Sequence, residues 1–376
     1  MISKEEYKQR RQKVLTFLEE LSARDKKNYV CLIKSGEQKV FSNDVNYPFR
    51  VNSDFYYLTG FKEANAALVL DPHGSDNYKL YVEAIDPHHT IWEGHREGLE
   101  GAVKNFAADK AFEIDDLNEK DFEISRQKDV TQFIHSLRSI KSEAEISLMQ
   151  KSCDIAVQAH RMAKEIITPG IHEYELEAKL NEVFRAKGSS GWSYPGIVAA
   201  GANSCVLHYI TNNNKIKKDD LILIDAGCEY EMYASDITRV HPASGEFSKE
   251  QKDIYDVVLA AQLKAIETMK VGKTFKDTND IVTLTIGEGL QNLGYIKDKN
   301  DENQVRKYYM HSAGHSLGID VHDVGVDRKT TAYVPGMVST IEPGIYIKEK
   351  AIGVRIEDDV LITKDGNQNL TEALAK

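Results

Sequence analysis

The stretch Leu221-Ile222-Leu223-Ile224-Asp225-Ala226-Gly227 decides how the chain is to be read. Four apolar residues in a row describe a short strand buried on both faces. The carboxylate at its end is costly to keep ionised there unless something positive stands beside it. Cys228-Glu229-Tyr230-Glu231-Met232-Tyr233 then reads as a hairpin, and Asp236-Ile237-Thr238-Arg239-Val240 follows. Such a hairpin brings Asp225 and Asp236 onto neighbouring strands. Two carboxylates held close repel unless a divalent cation lies between them. Taken alone, the plainer reading is the stronger one: Asp225 ends a strand and Asp236 caps a turn.

The segments around this strand follow a scheme that occurs twice. Ser142-Glu143-Ala144-Glu145 is a capping box that opens a helix carrying Ile146, Met149, Ile155 and Ala156 and stopped by Pro169-Gly170. A second helix, about 173–187, ends at Gly188. The strands 196–200 and 221–224 complete the unit. Ser248-Lys249-Glu250-Gln251 is another capping box; its helix runs to about Lys270 and breaks at Val271-Gly272. A helix at about 278–293 ends at Gly294, and strand-like segments follow at 337–341, 344–347 and 353–363. Two related halves, 142–242 and 248–363, place a site in the groove between them. Ahead of them the chain mixes helix and strand: Val14, Phe17, Leu18 and Leu21 at helical spacing, then strands at 30–33, 66–70 and 79–83. The expected organisation is a smaller N-terminal α/β domain, 1–138, and a larger α+β domain, 139–376.

Composition narrows the function. The 376 residues carry 48 Lys and Arg against 59 Asp and Glu, a net charge of −11, so there is no cationic excess to bind nucleic acid. With 41% hydrophobic residues the chain can build cores, and no run approaches the ~20 apolar residues of a membrane span. The N-terminus, Met1-Ile2-Ser3-Lys4-Glu5-Glu6, lacks the apolar segment of a signal peptide. Cys31, Cys153, Cys205 and Cys228 are scattered, without a CxxC pair. A cytoplasmic protein with no membrane or nucleic-acid partner is expected.

The C-terminal half supplies further polar residues. Met310-His311-Ser312-Ala313-Gly314-His315-Ser316-Leu317-Gly318 is followed by His322-Asp323, three of the chain's twelve histidines within a short run. His311 and His315 form an HxxxH pair, but Ser312 stands where the HExxH zinc helix has glutamate, and Gly314 and Gly318 argue against a regular helix. In Ser339-Thr340-Ile341-Glu342-Pro343-Gly344, Glu342 ends an apolar strand as Asp225 does. In Gly353-Val354-Arg355-Ile356-Glu357, a strand puts Arg355 and Glu357 on one face. Asp225, Asp236, Glu342 and Glu357 together bring four negative charges, which no core tolerates unpaired. Two divalent cations cancel them, and His315 adds a neutral ligand. Oxygen-rich ligation with one nitrogen suits manganese first, with cobalt, iron or zinc as alternatives.

Taken in order, LIDAG, SDITR, HSAGHSLGIDVHD, IEPGIY and VRIEDD resemble the pita-bread-fold metallopeptidases, and within them most of all the Xaa-Pro aminopeptidases (aminopeptidase P), with prolidase the nearest relative. The resemblance covers 142–376 and extends to Asn52-Ser53-Asp54-Phe55-Tyr56-Tyr57-Leu58-Thr59-Gly60-Phe61, similar to the N-terminal signature of aminopeptidase P. It implies a pita-bread catalytic domain that releases the N-terminal residue from peptides with proline second, by attack of a hydroxide bridging two divalent metals. Asp225, Asp236, His315, Glu342 and Glu357 match the five ligands; Glu342 would also accept the water's proton. His208 matches a histidine that stabilises the tetrahedral intermediate, and His322 a proton shuttle on the proline side. His311, Tyr346 and Arg355 match residues around the ligands or the pocket. Trp92 resembles a tryptophan inserted from a neighbouring subunit, which implies a homo-oligomer, dimer or tetramer. The stretch from Trp92 to Ser142 is shorter than expected for the family. The alternatives are a dipeptidase of the prolidase kind and a non-catalytic peptide-binding member of the fold; a creatinase-like, metal-free hydrolase lacks this ligand set.

Overall fold

The strand Leu221–Asp225 is the middle of a three-stranded antiparallel sheet, between Ile197–Ala200 and Thr238–Pro242, in the computed structural model, which describes residues 1–325 and 330–376. All five of its residues are buried. Side chains alternate along a strand, and here both faces are used. Ile222 and Ile224 pack with Ile155, Ala159, Leu176, Leu180 and Phe184, the inner faces of the helices Glu143–Ile166 and Glu173–Ala186. Leu221 and Leu223 join a second core with Ile254, Val258, Val282, Ile286 and Leu290, from the helices Lys249–Thr268 and Phe275–Asn292. Each buried Leu or Ile contributes about 1.5–3 kcal/mol. Four of them outweigh the several kcal/mol needed to carry one carboxylate, Asp225, inward.

The two halves are built alike. Ser142 caps the first helix and Ser248 the third, each in a complete capping box. The fourth helix begins at Phe275, three residues before the expected start. Its capping box is closed by Thr274 and Asp277, a shorter carboxylate than the usual Glu or Gln. The segment expected as one strand over 353–363 is two, Ile352–Arg355 and Asp358–Thr363. The first pairs with Gly344–Ile347, the second with Val338–Ile341. The break falls where the backbone changes partners: the Ile356 N–H donates to the Pro343 carbonyl and the Glu357 N–H to that of Thr238. The hairpin after Asp225 exists, Cys228–Tyr230 with Tyr233–Ala234, turned by Glu231 and Met232 at positive φ. It joins Gly191–Trp192 in a separate sheet. Asp225 therefore faces Thr238 in the register, and Asp236 lies in the link before that strand rather than on it.

The chain divides into two compact units, Met1–Arg138 and Ser139–Lys376. In the first, the sheet runs Cys31–Lys34, Ala67–Leu70, Tyr78–Val82, Lys110–Glu113, with only the last pairing parallel. The helices Lys4–Asp25, Ser53–Thr59, Pro87–Glu93, Gly98–Phe106 and Gln127–Arg138 belong to that α/β unit. Among the described residues, no helix is long and apolar enough to cross a membrane.

Candidate metal centre

Asp225, Asp236, His315, Glu342 and Glu357 come from strand ends and links that are far apart in sequence, yet all five line one cavity of about 560 Å³. Two glycines allow the links to pack this closely. A Cβ on Gly227 would meet the Ser235 carbonyl oxygen at 1.8 Å, and one on Gly314 the Thr340 oxygen at 2.0 Å. The His315 backbone N–H donates to Thr340 Oγ1 at 3.0 Å, and the Thr340 N–H returns to the His315 carbonyl at 2.8 Å. The Glu342 N–H donates to the Ala313 carbonyl at 2.8 Å. The histidine link and the strand bearing Glu342 are thereby laced together.

The electrostatics of the cluster are those of a cation site. Asp236, His315 and Glu357 each offer a ligand atom, all within 4.8 Å of one another. His315 Nδ1 faces the Ser316 carbonyl at 3.1 Å and donates to it, which leaves Nε2, 3.3 Å from Asp236 Oδ2 and 3.6 Å from Glu342 Oε1, as the nitrogen whose proton a cation would replace. Burial opposes a charge on His315, but the hydrogen bond and charge of Asp236 and the charge of Glu342 push its pKa up to about 9. Burial raises Glu342 to about 7, against the pull of His315 and Arg355. Burial also raises Asp225 and, with the charges of Asp236, Glu342 and Asp225 added, holds Glu357 well above the usual carboxylate range. Without cations these acids hold protons that cations would replace, so the donor set fits divalent metal.

Tyr194 was not among the expected site residues. Its hydroxyl stands 2.6 Å from both Asp225 Oδ1 and Asp236 Oδ1. One phenol proton cannot satisfy two carboxylates, so the second contact needs a protonated carboxyl or a neutralising cation. The signal lay in pairing: Tyr194 is three residues before Ile197, which sits opposite Asp225 in the sheet. Thr238 is a second addition; its Oγ1 donates to Glu357 Oε2 at 2.7 Å and accepts from Arg355 Nε at 3.2 Å.

The other expected residues divide between the two units. Arg355 donates to Asp225 Oδ2 at 2.5 Å and to the Tyr346 hydroxyl at 2.9 Å. His311 Nε2 meets the same hydroxyl at 2.9 Å; burial, reinforced by the nearby Arg355 charge, lowers its pKa to about 4 and keeps it neutral. His322 lies on the cavity wall with its ring centroid 4.2 Å from that of His315. Its neighbour Asp323 is bound at 3.1 Å by Lys141 in a pair whose side chains are 2% and 1% exposed. His208 stands on the same wall. Trp92 belongs to the N-terminal unit, on the helix Pro87–Glu93, and is 77% exposed.

Comparison with known proteins agrees over the whole chain. Residues 147–364 match the model of metallopeptidase family M24, and residues 7–133 that of the aminopeptidase P N-terminal domain. The Xaa-Pro aminopeptidase of Haemophilus influenzae is 37% identical over 100% of this chain and 96% of its own length; that of Escherichia coli is 34% identical with the same coverage. Among solved structures, aminopeptidase PepP of Pseudomonas aeruginosa superposes with a TM-score of 0.91 at 36% identity, covering 100% of this chain and 96% of that one. E. coli aminopeptidase P with the inhibitor Pro-Leu gives 0.90 at 33%, with the same coverage. The zinc-substituted form of the E. coli enzyme, in complex with product, gives 0.89, also at 33% and with the same coverage.

Proposed function

Because this chain belongs to metallopeptidase family M24 and is a metal-dependent aminopeptidase of the Xaa-Pro type in the pita-bread fold, we propose the parts its own residues take. Asp225, Asp236, His315, Glu342 and Glu357 would hold two divalent cations, manganese by the oxygen-rich donor set. When bound, such a pair supplies a water acidified to near neutrality and Lewis acidity at the scissile carbonyl. Glu342 would receive the proton of the attacking water at its carboxylate, which lines the cavity 3.6 Å from His315 Nε2. His208 donates toward the oxygen that becomes negative in the transition state. His322 carries a proton to the departing proline nitrogen. Tyr194, Thr238 and Arg355 fix the carboxylates, so that they need not reorganise as charge moves. A prolyl nitrogen has no N–H to offer, and the apolar Leu207, Ile210 and Val321 on the cavity wall suit its ring.

The observation that carries this reading is the convergence of four carboxylates and one imidazole in the cavity, three of the acids raised by burial. Its test is hydrolysis of Ala-Pro-Ala beside Ala-Pro with and without added manganese. Manganese-stimulated release of alanine from the tripeptide is expected; cleavage confined to the dipeptide would make the protein a prolidase instead. Ile91 and Trp92, 80% and 77% exposed on one short helix, support association of copies of the chain. Sedimentation velocity should then show a dimer or tetramer, and a monomer at micromolar concentration would remove that part.

A further inference from the structure

We infer that Glu173 is a positioning residue for His208, acting through the fifteen-residue segment 200–214; the inference rests on the role given to His208 above. Glu173 opens the helix Glu173–Ala186 and is 0% exposed. A carboxylate in the first turn is favoured by the helix dipole. Its two oxygens accept about four hydrogen bonds at most, and four are made. Oε1 accepts from the Ala200 N–H at 2.8 Å and from Asn203 Nδ2 at 2.9 Å. Oε2 accepts from the Tyr209 hydroxyl at 2.8 Å and from the Asn214 N–H at 2.8 Å. The Glu173 N–H in turn donates to the Asn214 carbonyl at 3.0 Å.

These donors span a segment with little regular structure of its own. After the short 3₁₀ turn Gly201–Cys205 the backbone through Asn214 belongs to no helix or strand. His208 sits in its middle and is exposed, between the exposed Val206 and Ile210. Nothing about such a sequence holds a histidine at a set height over the cavity. The anchored Tyr209, one residue on, does, and Glu173 holds Tyr209. A buried charge with every lone pair used is a rigid fixture, whereas one with a donor removed is not. Glu173 is not among the residues lining the metal cavity, so its effect on kcat should reach the reaction through His208, while a shift of Leu207 or Ile210 on the same segment would appear in KM.

The test is a double-mutant cycle on the full-length, manganese-loaded protein. Glu173→Gln keeps the shape and turns an acceptor into a donor. It should lower kcat about tenfold, the scale of a small displacement of a reacting group, with KM changed less than about threefold. Manganese affinity, read by calorimetric titration, should be unchanged. In a His208→Ala background the same substitution should have no further effect, because residues that act as a unit are not additive. Tyr209→Phe, which leaves three of the four bonds, should show a smaller loss that also vanishes in that background, and it serves if Glu173→Gln does not fold. Multiplicative losses with His208→Ala, a parallel fall in manganese affinity, or an unchanged kcat would each overturn the inference. Wild-type activity of His208→Ala alone would instead remove the role assigned to His208, and the inference with it.

Discussion

Stripped of divalent cation by a chelator, the protein should lose stability as pH rises from about 5 to about 9, and manganese should abolish that loss. Burial lifts Glu342 from its ordinary value to about 7 in the cation-free fold, so between these limits the native state binds more protons than the unfolded chain. Stability must then fall as pH rises through that window. His315 has the same sign. Its folded pKa of about 9, held up by Asp236 and Glu342 against the effect of burial, gives stability present below its ordinary value and lost as pH rises through 9. Each pKa unit is worth about 1.4 kcal/mol, so the combined loss across the window amounts to several kcal/mol, and each kcal/mol moves the melting temperature by about 2–4 °C for a unit of this size. On the acid side the sign reverses. Burial lowers His160 to about 4 and His241 to about 3, so both must be charged to unfold and both favour the native state less as pH falls below about 6.5. The cation-free protein should therefore be most stable near pH 5–6.5. Thermal melts across pH 4–9, with chelator and with manganese, measure it. A chelated protein whose melting temperature stays level or climbs between pH 6 and 9 would show that the acids are not crowded as described.

The parts of this centre that were legible in the sequence are those with local signatures. Leu221 to Ile224 announced a doubly buried strand because nothing polar interrupts it, and the boxes at Ser142 and Ser248 fixed two helix starts to the residue. Asp225 and Glu342 could be suspected because each closes an apolar strand, where a carboxylate needs a reason. Tyr194, Thr238 and Glu173 could not. Tyr194 reaches Asp225 and Asp236 over 31 and 42 positions, Thr238 reaches Glu357 over 119, and Glu173 reaches Tyr209 over 36. No periodicity encodes such contacts; they follow from which strand lies beside which. The same cause explains the misread strand over 353–363. Its apolar residues run on through Val354, Ile356 and Val360, all fully buried, while its hydrogen bonds pass from one partner strand to another at Ile356 and Glu357. Side-chain pattern records burial, and a change of hydrogen-bonding partner leaves burial untouched.

Glu357→Gln should act in opposite directions on activity and on stability. Glu357 is 2% exposed, and burial together with the charges of Asp236, Glu342 and Asp225 keeps its carboxyl protonated well beyond the usual range in the absence of cation. Glutamine is close in shape to that protonated acid, and its carbonyl still accepts the Thr238 hydroxyl that now bonds Oε2 at 2.7 Å. Above neutral pH the parent must either hold on Glu357 a proton that the unfolded chain has lost or carry its charge beside Asp236, Glu342 and Asp225, and the substitution removes that cost. The cation-free variant should therefore be more stable than the cation-free parent at pH 8, by about 1–3 kcal/mol. The same change removes one of the five proposed ligands, so manganese affinity should fall. If the metal pair supplies several kcal/mol of transition-state stabilisation, kcat/KM for a Xaa-Pro peptide should drop about a thousandfold, each 1.4 kcal/mol being a factor of ten. Chemical denaturation with chelator and kinetics with manganese read the two effects on one preparation. Retained activity would take Glu357 out of the ligand set. A variant that is both inactive and less stable without cation would mean that Glu357 is held by its hydrogen bonds more strongly than it is repelled by its neighbours, and the electrostatic account of the centre would fall with it.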